Sequence, residues 1–178
     1  REVPLSLRVW DFDVPEERHQ DVVQWFTFPG IPFSKTVKPY SEEWWVLAER
    51  FAQIIAEHRQ NVFHAPFSHI RMTYTKDGRF AGEFSRFDRW IETFLRAGRF
   101  DRIELDFVGR LEGDGLGDPK GKIRIRRLPV AMEDPSAKLS DEQVLRGYLG
   151  ALCAHLRERG WFERSMIHIQ DEPFIQHE

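Results

Sequence analysis

At 178 residues, with 41% hydrophobic and 31% charged positions, the chain can bury one ordinary core and does not have the composition of a disordered tail. Its net charge of -3 and pI near 6.2 give no broad electrostatic attraction to nucleic acid or to an anionic membrane, and no apolar run reaches the roughly 18 residues of a spanning helix. Cys153 is the single cysteine, which excludes an internal disulfide framework and a cysteine-based zinc site but does not fix the compartment.

The opening residues lack a signal-peptide pattern. Leu5, Leu7 and Val9 alternate with polar neighbours, so residues 1–15 read as a strand and linker leading into the main domain. Such an abrupt start at Arg1 leads us to expect sequence before it. A charged turn follows, and residues 22–28 form an aromatic apolar run closed by Pro29 and Gly30, a second strand. Residues 41–60 predict the first helix. Ser41 is its N-cap, Glu42 and Glu43 suit the positive pole, and Trp44, Leu47, Ala48, Phe51, Ile54 and Ile55 make its stripe.

Residues 61–66 read as a short strand ending at Pro66, and Lys76, Asp77 and Gly78 mark a turn. The segment between them is ambiguous. A second helix is expected from Ser85, with Asp88 as a capping-box-like partner and Gly98 as its stop. Residues 100–108 alternate as a strand, with Glu104 and Asp106 between Ile103, Leu105 and Phe107. About 109–139 the chain is rich in Gly, Pro and charge and holds one strand-like piece, residues 122–126, half of a hairpin. Ser140 and Gln143 form a capping box for a third helix that Gly160 ends. Residues 166–170 alternate as a last strand, stopped by Asp171, Glu172 and Pro173.

Alternating strands and helices predict an α/β fold with a parallel sheet. A closed (β/α)8 barrel needs about 250 residues, so residues 16–178 read as the N-terminal half of a TIM-type barrel, about four βα units, with an insertion at 109–139. A small open α/β sheet is the other reading. The dinucleotide and P-loop glycine fingerprints are both missing, and no cofactor is expected.

Two adjacent carboxylates at a strand end repel each other without serving the fold, and barrel enzymes place their chemistry at C-terminal strand ends. Asp171 and Glu172 are therefore the catalytic candidates; their plainer reading is a turn cap and a solvated acid. His64 and Asp106, near other strand ends, are candidate substrate contacts or else a satisfied histidine and a cap or salt-bridge partner. Trp25 offers a stacking platform or a core ring. His168 orients an acid or makes an interior hydrogen bond. Arg124, Arg126 and Arg127 sit near Glu112, Asp114 and Asp118, which favours a solvated hairpin over a phosphate site. The seven histidines include no His-x-His or His-x-x-x-His, so no metal site is inferred.

Taken together, Trp10-Asp11-Phe12 with Val14-Pro15, the helix ending Glu57-His58-Arg59 before Asn61-Val62 and Pro66, and a strand closing on Asp171-Glu172-Pro173 resemble glycoside hydrolase family 123 and its DUF4091 relatives. The resemblance implies a (β/α)8 barrel preceded by a β-sandwich, and release of β-linked N-acetylgalactosamine. It also implies an acid pair at the end of the fourth strand, with Glu172 as general acid/base and Asp171 orienting the 2-acetamido group. The expected partners are a carbohydrate substrate, the rest of the barrel and the sandwich, with no nucleic acid and no membrane. These residues stop five positions after Pro173, short of a second barrel half.

The chemistry agrees with that route. Retaining glycosidases that use a carboxylate nucleophile need carboxyls about 5–5.5 Å apart, whereas neighbours on one strand point to opposite faces. An acetamido nucleophile removes that requirement, and an Asp on the amide N–H stabilises the developing positive charge. The alternative is a non-catalytic carbohydrate-binding or structural barrel, and beyond it an unrelated open α/β domain.

Overall fold

The computed structural model describes residues 3–13, 15, 18–25, 28, 36–112 and 122–170. Its elements in chain order are α1 (Glu42–Glu57), β1 (Val62–Ala65), β2 (Arg71–Tyr74), β3 (Phe80–Glu83), α2 (Ser85–Ala97), β4 (Arg102–Leu105), β5 (Gly109–Glu112), β6 (Lys122–Ile125), β7 (Val130–Met132), α3 (Asp141–Glu158) and β8 (Ser165–Ile167). Short 3-10 turns at Phe67–His69 and Phe162–Arg164 follow β1 and precede β8.

Helix starts follow local chemistry. The Ser41 hydroxyl accepts from the Trp44 N–H at 3.3 Å, and α1 buries Trp44, Trp45, Ala48, Phe51, Ala52, Ile55 and Ala56, while Ile54 turns out to solvent. At α3 the capping box is complete: the Ser140 hydroxyl accepts from the Gln143 N–H, and the Gln143 side chain accepts from the Ser140 N–H at 2.9 Å. Helix α2 begins at Ser85 and stops at Gly98 as expected, and only its cap differs. Phe84 is its N-cap without a side-chain bond, Ser85 lies inside the helix, and its N–H is taken by Glu83 at 2.8 Å. Asp88 instead reaches His155 of α3 at 2.6 Å, where Phe84 stacks on the imidazole at 3.9 Å. A tertiary partner has outcompeted the local cap.

The main sheet has the order β1-β4-β8, with every pair parallel. Register aligns His64 with Glu104 and Met166, and Ala65 with Leu105 and Ile167. One face carries Phe63, Ala65, Ile103 and Leu105, all buried in an aromatic core with α1 and α2. Phe63 stacks on Phe94 at 4.6 Å, and Trp44 and Trp90 lie 5.8 Å apart. Alternation sends the polar set, His64, Glu104 and then Asp106 and His168, to the opposite face.

The segment 20–25 lies along β1 without becoming a regular strand. The Val22 carbonyl accepts the N–H groups of Asn61 and Val62, each at 3.2 Å, and the Val22 N–H donates to Asn61 Oδ1 at 2.6 Å. Asn61, buried to 2% exposure, also donates to the Gln20 carbonyl and to Asp101, and so ties three segments together. Arg18 donates to the carbonyls of Ala56, Gln60 and Arg99, tying the end of α1 to the turn after α2.

Two smaller sheets grow from the connections that leave the C-terminal strand ends. One has the order β3-β2-β7, and the other is the antiparallel hairpin β5–β6, which realises the half-hairpin read at 122–126. The strand expected over residues 5–9 does not form; Leu5 is 94% exposed there, with no neighbouring ladder to hold it. The parallel α/β expectation holds in this open sheet, and closure into a barrel goes beyond the described strands.

Candidate functional site

All three parallel strands end on the same side, and each contributes a polar residue there. His64 is the third residue of β1, Asp106 follows β4, and His168 follows β8. His64 Nε2 lies 3.1 Å from Asp106 Oδ1, and Asp106 Oδ2 accepts the Phe67 N–H at 2.9 Å. Burial pushes the Asp106 carboxyl up. The bonds from His64 and Phe67, with the charges of His64 and Arg126, outweigh that and hold it below the usual aspartate range. Trp90 completes the first strand end by donating to the His64 carbonyl at 2.8 Å.

A second cluster centres on Glu104, a residue that sequence reasoning did not single out. It is 2% exposed on the middle strand. The Trp25 indole N–H reaches its two oxygens at 3.1 and 3.3 Å, and His168 Nε2 meets Oε1 directly. Trp25 and Phe107 stand edge-on to the His168 ring at 5.5 and 5.1 Å. The available signal was spacing: Glu104 precedes Asp106 by two, so both share a face of one strand.

These groups line a cavity of about 210 Å³ bounded by Trp25, His64, Glu104, Leu105, Asp106, Phe107 and His168. Trp25, Glu104 and His168 also border a larger cleft of about 440 Å³ towards Val62 and Met166. The structure thus brings together Trp25, His64, Asp106 and His168. Asp171 and Glu172 lie outside the described residues. The chain leading to them is anchored, because the carbonyls of His168 and Ile169 accept the N–H groups of Val108 and Gly109 at 3.0 and 2.6 Å. Gly109 is required at this crossing, since a Cβ there would collide with the Ile169 carbonyl oxygen.

Behind the first strand end, His69 is buried against Tyr40, whose hydroxyl is 3.1 Å from Nδ1. Burial, then the charges of His64 and Arg86, push its pKa down to about 4 against an opposing pull from Asp106. Tyr148 packs on Phe67 at 5.3 Å, and its buried hydroxyl has no hydrogen-bond partner among the described residues. Burial and the nearby Asp106 charge push that phenol well above the usual tyrosine range. No group of three or more His, Cys, Asp and Glu is arranged to hold a metal among the described residues, and none of their helices is long and apolar enough to cross a membrane.

Carboxylates, imidazoles and an indole around one pocket at parallel strand ends suit hydrogen bonding and stacking on a polyhydroxylated ligand. The glycoside hydrolase 123 catalytic-domain family model matches residues 25–178, and the chain belongs to that family. Among solved structures it is similar to a family 123 glycoside hydrolase from Clostridium perfringens, analysed for glycolipid glycan hydrolysis, with a TM-score of 0.51 and 16% identity. At that identity the likeness is one of fold. The match covers 76% of this chain and 26% of the other, so these residues span about a quarter of that protein. No curated protein matches the chain.

Proposed function

We propose that these residues form part of the catalytic site of a glycoside hydrolase releasing terminal β-linked N-acetylhexosamine, N-acetylgalactosamine above all, by a substrate-assisted retaining route. The observation that carries this reading is the delivery of β8 to the polar pocket. Strand β8 runs parallel beside β4 and points its C-terminal end, four residues before Asp171, at the side where His64 and Asp106 lie. The family match over residues 25–178 includes both acids.

In this route the sugar's acetamido oxygen attacks the anomeric carbon. Asp171 accepts the amide N–H, orienting the group and stabilising the oxazolinium that forms. Glu172 protonates the departing glycosidic oxygen, then takes a proton from the water that opens the ring intermediate. To be protonated near neutrality it needs a raised pKa, which a neighbouring negative charge and partial burial both supply. His64 and Asp106 are proposed contacts for sugar hydroxyls, and Trp25, half exposed, a platform for the ring's apolar face.

The 2-acetamido group is the nucleophile here, so the sugar itself tests the route. The full-length protein should hydrolyse an aryl β-N-acetylgalactosaminide and leave the matching β-galactoside intact, a difference of at least about 1000-fold in kcat/KM. Comparable rates on the two aryl glycosides would overturn the substrate-assisted reading.

A further inference from the structure

We propose that Glu104 is a positioning residue, holding the exit of β8 in the line that brings Asp171 and Glu172 to the substrate. The proposal rests on the reading that these two acids carry the hydrolysis. Its starting point is an expensive choice of residue. Removing a carboxylate from water is unfavourable unless its oxygens are well paired, and the middle strand of a parallel sheet is ordinarily filled by Val, Ile or Leu. At 2% exposure, with Val62 and Met166 nearby on the same face, position 104 could hold an apolar side chain.

What the carboxylate does instead is join three parts of the chain. From β4 it receives the indole N–H of Trp25, in the segment beside β1, and Nε2 of His168, directly after β8. With both oxygens engaged and almost no exposed surface, it does not present itself to a ligand. It acts through His168. That imidazole is fixed by Glu104 at its tip and by the rings of Trp25 and Phe107 at its sides, while its carbonyl accepts from Val108. His168 is thus held by side chain and backbone, three residues before Asp171. At about 3.3 Å per extended residue, that is roughly 10 Å of chain, short enough for a shift at His168 to carry into the acid pair. A misplacement near 1 Å can cost about 100-fold in rate. Releasing the clamp should therefore lower turnover much more than substrate affinity.

The experiment measures kcat and KM on aryl β-N-acetylgalactosaminide for the full-length protein and for E104Q, H168A, the double variant and D171N. The isosteric E104Q keeps the shape of the buried site, and H168A alters a side chain that is one-third exposed, so it carries the test should E104Q fold poorly. We expect kcat to fall about 10- to 100-fold in each single variant with KM within about threefold. The double variant should be no worse than the poorer single, because both break one clamp. Folded variants with parental kcat, losses confined to KM, or losses that multiply in the double variant would each overturn the proposal. D171N as active as the parent would instead overturn the reading on which it rests.

Discussion

At the scale of single residues, the groups behind the pocket make its integrity depend on pH. His69 titrates near 4 in the folded chain against about 6.5 when unfolded. The unfolded chain therefore takes up a proton first as pH falls. The stability this buried neutral imidazole contributes is fully present above 6.5 and is lost as pH drops through about 4, on the order of 3 kcal/mol. Melting temperatures from pH 7.5 to 4.5 should show that loss in the parent and a flatter profile in His69→Gln; parallel profiles would rule the origin out. Residue-level reading of the sequence went furthest with His64, Asp106, Trp25 and His168, which the structure gathers at one pocket. It passed over Glu104 because alternation in 103–107 puts Glu104 and Asp106 on one face without saying whether that face meets solvent or a cavity. Only the partners from residues 25 and 168, far away in sequence, reveal a paired buried acid.

Among elements, what was legible is what local chemistry decides. Helix α3 starts where its capping box places it, with both reciprocal bonds formed. Ser140→Ala should cost about 1 kcal/mol in denaturant unfolding; an unchanged midpoint would mean that α3 is held by packing alone. Helix α2 shows the limit. Ser85 and Asp88 have the spacing of a cap, but Asp88 is worth more to His155 and Arg159 across the α2–α3 contact, at 2.6 and 3.7 Å. Long-range pairing of this kind leaves no local trace. The hairpin β2–β3 was likewise unreadable in a segment whose mixed pattern fits several structures, whereas the alternation at 122–126 was enough to mark β6. Residues 5–9 alternate just as well and make no strand, since a ladder needs a neighbour as well as a pattern.

For the molecule as a whole, helix and strand order was sufficient to find a parallel α/β sheet. Closure into a barrel goes beyond the described strands, whose main sheet has three members. Beyond β4, Ile167 and Ile169 are 39% and 68% exposed on and just after β8, an apolar edge of the kind that another strand or element covers. The central claim is that Asp171 and Glu172, delivered by β8, perform the hydrolysis. It is tested most directly by assaying the full-length protein, D171N and E172Q on aryl β-N-acetylgalactosaminide, with azide added to E172Q. The account predicts losses of at least about 100-fold in both variants, and azide-restored turnover of an activated substrate in E172Q alone. Near-parental activity in either variant would contradict it.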